Sequence, residues 1–170
     1  SISLLSREHE IELAKKIEEA EERFKRAALN TRLVRNHTVS VANDIVEGAT
    51  NLEEVVKEDI KIKKSGVLGK IKRTLKKLKR VRNDSLAIDL LLDFNFVTSV
   101  VEVSVRKLIK LAREFDQLSR QGRRSFTRRQ EILKELGAPY KKIKEQIKLI
   151  KSAHIKFNRA KKKLVEANLR

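Results

Sequence analysis

The 170-residue chain has no Cys, no Met, no Trp, a single Pro, five Gly and only seven aromatic side chains. Without Cys there is no disulfide framework, thiolate zinc site, iron–sulfur cluster or cysteine nucleophile. No apolar run approaches the ~18–20 residues that cross a bilayer, and no stretch reads as a signal-peptide core. The expectation is a cytoplasmic protein with no membrane partner. Scarce Gly and Pro alongside abundant Lys, Glu, Leu and Ile favour helix, and 19.7 kDa is the size of one domain. The fold class expected is all-α, a multi-helix domain. The chain opens on Ser1, and its last residues carry no Gly or Pro to stop a helix. We therefore expect an excised segment of a longer polypeptide.

Positive charge is plentiful, with 41 Lys+Arg against 23 Asp+Glu and a net charge of +18. It is unevenly placed. Residues 1–60 carry 13 acidic and 9 basic side chains, whereas residues 61–170 carry 10 acidic and 32 basic. The densest run, Lys61 to Arg82, holds 11 basic residues and no acid. Further clusters are Arg120, Arg123, Arg124, Arg128 and Arg129 around Gly122, and Lys141 to Lys163, opposed only by Glu145. A solvated helix face accounts for many single lysines. The 61–82 run lacks the i,i+4 acidic partners that would offset its repulsion, so it implies nucleic acid or an acidic protein face as partner. Aromatics do not interleave with it, which argues against base stacking.

Periodicity predicts a helix over 6–30, capped by Ser6, with Ile11, Ala14, Ile17, Phe24 and Ala28 as its apolar stripe. A second helix is predicted over 31–47, ended by Gly48, although the β-branched run Thr38–Val41 leaves a short strand open. Thr50 with Glu53 reads as a capping box. Gly66 and Gly69 mark an irregular start to a cationic helix whose narrow apolar face is Ile71, Leu75 and Leu78. Asn83-Asp84-Ser85 reads as a turn or break, and Leu86–Leu92 as a buried run. A helix follows from about Asn95 to Leu118, then a loop over 121–125 and a short helix opened by Thr127 and Gln130. Gly137 stops that helix. Pro139 occupies the first turn of a final helix carrying Ile143, Ile147, Ile150, His154, Phe157, Lys161 and Leu164.

No catalytic chemistry is legible. His9, His37 and His154 lie in three different predicted helices without metal-ligand spacing, so no metal is expected, and His154 is expected to make a buried polar contact. Tyr140 reads as a packing residue. Gly66-Val67-Leu68-Gly69-Lys70 has the wrong glycine spacing for a phosphate loop and no preceding strand. Neither a cofactor, a small-molecule substrate nor an enzyme activity is expected.

Two terminal segments carry a resemblance. Leu4-Leu5-Ser6-Arg7-Glu8, then Glu10-Ile11 and Ala14-Lys15-Lys16-Ile17-Glu18, resembles region 1.2 of primary bacterial sigma factors. The run from Ala160-Lys161-Lys162-Lys163-Leu164 through Val165-Glu166-Ala167-Asn168-Leu169-Arg170 resembles the opening of region 2.1 in that family. In the family a long, variable helical insertion separates the two. The resemblance implies a subunit that binds core RNA polymerase and promoter DNA, divided here into a region 1.2-like helix (1–30), a helical insertion (31–138) and a long helix leading into region 2.1 (139–170). It implies that Ser6, Arg7, Glu8, Asn168 and Arg170 lie near DNA, and that the two terminal helices pack together. The family's flanking elements, among them its main polymerase-binding helix and the aromatics that capture promoter bases, have no counterpart in these 170 residues. The insertion is acidic in several members but net basic here. Lys70, Lys72, Arg73, Lys76, Lys77, Lys79 and Arg80 are accordingly expected to face DNA phosphates or an acidic polymerase surface. The alternative is an unrelated basic helical module that binds nucleic acid or protein, for which the terminal motifs are coincidental.

Overall fold

Ser6 sets the start of the first helix. Its hydroxyl oxygen accepts from the His9 N–H at 3.1 Å, and Glu8 and Glu10 sit in the positive first turn. The structure is a computed structural model that describes residues 6–57 and 64–169. Among these, helix α1 spans Arg7–Leu29, α2 Arg32–Val46, α3 Leu52–Val55, α4 Lys64–Leu78, α5 Asp84–Leu92, α6 Thr98–Ser119, α7 Phe126–Leu136 and α8 Tyr140–Asn168. A 3-10 turn, Gly122–Ser125, joins α6 to α7 where the sequence predicts a loop. The fold is all-α. No described helix is long and apolar enough to cross a membrane.

The frame is an antiparallel pair, α1 against α8, with the most extensive contact between any two helices. Gln146 Nε2 donates to the Asn30 carbonyl at 3.1 Å at one end, while Leu13 and Lys16 border Ala160 and Lys163 at the other. Phe24 is fully buried between them, its ring 4.6 Å from that of His154 and 6.3 Å from that of Phe157. The buried stripe of α1 runs through Leu13, Ala20, Phe24 and Ala28, with Ile17 half-buried. Ile11 and Ala14, expected on it, are exposed.

Helices α2–α7 complete one continuous core against that pair. Thr38–Val41 is helical, its β-strand preference overridden by burial of Val34, Thr38, Ala42 and Ile45. Gly66 and Gly69 also lie inside a helix rather than at an irregular start. Val67, Ile71 and Thr74 bury against neighbours on α2 and α5, and that gain outweighs the ~1 kcal/mol each glycine costs. Two capping expectations fail. Asn51, not Thr50, caps α3 by accepting from the Glu53 N–H at 3.2 Å. At α7 the preceding Ser125 is the cap residue, and its hydroxyl donates to the Leu118 carbonyl at 2.6 Å instead of capping. Pro139 precedes α8 as its cap residue rather than occupying its first position. Leu86 is exposed at the start of α5, where only Ile88 and Leu91 bury. Asn83 opens this helix, its side chain accepting from the Leu86 N–H.

Two backbone positions fix the connections. Gly137 ends α7 at φ 74°, and a Cβ there would sit 2.5 Å from the Arg32 side chain. Only glycine meets both demands. Asn95, at φ 53°, turns the chain so that Phe96 bridges Val56 antiparallel, with the Val97 N–H donating to the Val55 carbonyl at 2.7 Å.

Candidate functional site

The cationic face of α4 belongs to the densest basic run of the sequence. Its apolar residues turn inward, so Lys70, Lys72, Arg73, Lys76 and Lys77 occupy roughly 160° of the outer circumference at 100° per residue. Lys79 and Arg80 continue the surface in the turn that follows, and all seven side chains are exposed. None takes part in any ion pair between described residues. From Lys70 to Arg80 the face extends roughly 15 Å. A duplex carries about nine phosphate charges over that length, so about six contacts are within its reach. Lys61 and Lys63, at the head of the basic run, lie outside the described residues.

The other basic clusters differ. Arg128 is spent on a bidentate pair with Glu114, at 2.8 and 3.1 Å, and Arg129 donates to Ser125 Oγ and to the Gly122 carbonyl, both at 3.1 Å. These two arginines tie the 3-10 turn to α6 and α7. Arg120, Arg123 and Arg124 remain exposed. Along α8, Lys161 lies over the Phe157 ring at 4.3 Å and Lys144 over Tyr140 at 5.5 Å, a packing role for their stems as well as their charge.

The described residues that the resemblance places near DNA share one end of the α1–α8 pair. Ser6, Arg7 and Glu8 begin α1, and Asn168 ends α8, with Arg7, Glu8 and Asn168 exposed. Leu4, Leu5 and Arg170 lie outside the described residues. The α4 face is built on α2 and α5, away from that helix pair in the contact order.

A buried ionic node escaped the sequence reading. Glu21 binds Lys25 at 2.8 Å, accepts from the Thr98 hydroxyl at 2.9 Å and also pairs with Lys57. Lys25 further donates to the Phe96 carbonyl at 2.7 Å. Burial pushes the Glu21 carboxyl up, but the hydrogen bonds from Lys25, Lys57 and Thr98 prevail and hold it at about 2. Burial holds the Lys25 ammonium below the usual lysine range, against the attraction of Glu21. The i,i+4 spacing of Glu21 and Lys25 was a visible signal. Lys57 and Thr98 were not, because only the fold brings them to α1.

His154 and Tyr140 make contacts within the fold. His154 Nε2 lies 2.9 Å from Glu102 Oε2, a polar contact as expected but half-buried rather than buried. Tyr140 stacks on Phe115 with centroids 4.2 Å apart and donates to the Ala112 carbonyl at 3.3 Å. Burial and the neighbouring Asp116 raise its hydroxyl above the usual tyrosine range. No cluster of three or more His, Asp or Glu side chains suited to a metal occurs among the described residues. No family model and no curated protein matches the chain.

Proposed function

We propose that this chain is the part of a primary bacterial sigma factor that runs from region 1.2, through the helical insertion, to the start of region 2.1. It acts without catalysis, in the cytoplasm, as scaffold and binding surface for core RNA polymerase and promoter DNA. The observation that carries the reading is the antiparallel packing of α1 on α8. It puts the two motif-bearing segments, separated by almost the whole chain, at the same end of one helix pair. A basic module of another kind gives no reason for that contact. Within this reading the exposed cations of α4 meet DNA phosphates, or an acidic polymerase surface, without reading sequence.

The test is a graft. Residues 6–169 replace the corresponding stretch of a well-characterised primary sigma factor, and the hybrid is run with core RNA polymerase on a sizing column. Co-elution is the expected result. A hybrid that is folded by circular dichroism and still elutes apart from the polymerase contradicts the proposal.

A further inference from the structure

A shallow groove of about 220 Å³ runs between α6 and α8. Its floor is apolar, formed by Ile109, Ala112, Ile147 and the Tyr140 ring. Its rim is cationic, with Arg113, Lys144, Lys148 and Lys151 all exposed and none ion-paired to another described residue. Asp116 is the single acid on it. Lys144, Lys148 and Lys151 follow one another at steps of four and three, so they form a row along α8. From Tyr140 to Lys151 the groove is roughly 17 Å long, about three helical turns.

We infer that this groove docks an acidic amphipathic helix of a partner protein. An apolar floor rewards an inserted leucine or phenylalanine, and the lysine row meets carboxylates flanking it at the same helical spacing. Nucleic acid fits less well. A phosphodiester backbone gains nothing from Ile109, Ala112 and Ile147. The groove uses helices other than those beneath the α4 face, so the inference does not depend on the function proposed above.

The test uses the 170-residue chain and a labelled synthetic helix of about 14 residues, with Leu and Phe along one face and Glu on its flanks, followed by fluorescence anisotropy. Lys148→Glu with Lys151→Glu weakens binding about tenfold or more. Arg123→Glu with Arg124→Glu, on the 3-10 turn, leaves it within about twofold, which separates the groove from general attraction to a basic protein. A probe with Leu and Phe replaced by Ser binds about tenfold more weakly. All four substituted residues are exposed, so neither variant threatens the fold. The inference is overturned if the Ser probe binds equally well, or if the Arg123/Arg124 variant loses as much as the groove variant. It is also overturned if duplex DNA binding falls as steeply as probe binding in the groove variant, which assigns the surface to nucleic acid, or if the chain buries the groove by dimerising at assay concentration.

Discussion

Phe24 and Phe157 stack with centroids 6.3 Å apart and planes inclined by only 8°, although nearly the whole chain lies between them. Both are buried, and they lock α1 to α8 near the middle of the pair. Phe24→Ala is expected to cost about 3–5 kcal/mol, the range for deleting a fully buried phenylalanine. Phe157→Ala shares the same cavity, so the double variant should cost less than the sum of the two. Urea unfolding of the three variants checks this, and strict additivity would show that the rings do not act together.

Glu21 gives the fold an acid-sensitive joint. Its folded value of about 2 lies below the ordinary 4.5, so its stabilisation is complete above pH 4.5 and is lost as pH falls through about 2. Glu21→Gln leaves Lys25 and Lys57 facing each other without their carboxylate, at a cost on the order of 3 kcal/mol near neutrality. The variant should also lose less stability than the parent protein between pH 5 and pH 2. Unfolding curves across that range that run parallel for both proteins would remove Glu21 from this role.

Duplex DNA is expected to bind the α4 face with little sequence preference. Neutralising about six phosphates makes log K fall with log salt at a slope near −5. Replacing Lys72, Arg73 and Lys76 by Ala should flatten that slope by roughly three without unfolding the protein, since all three are exposed. A flat salt dependence, or no binding at low salt, removes DNA as the partner of the α4 face.

Helix type and order were legible because α1, α6 and α8 carry sustained apolar periodicity, as Val101, Val105, Leu108 and Ala112 do on α6. Local choices between near-equivalent residues were less so. Thr50 and Asn51 both make competent caps, and burial of Leu52 and Val55 selects the register that uses Asn51. The glycines of α4 signal a break locally, and only the packing of Val67 and Ile71 reverses that signal. Of the candidate site, the outward cations of α4 followed directly from the inward spacing of Ile71, Leu75 and Leu78. The Glu21 node and the α6–α8 groove needed tertiary proximity that spacing along one helix does not encode.

Promoter-directed run-off transcription by the grafted sigma factor tests the central claim most directly. If residues 6–169 are the segment proposed, the hybrid supports transcription from its usual promoter, and Phe24→Ala with Phe157→Ala abolishes it by separating α1 from α8. A hybrid that binds core RNA polymerase yet starts no transcript at that promoter, while the unaltered sigma factor does, would contradict the account.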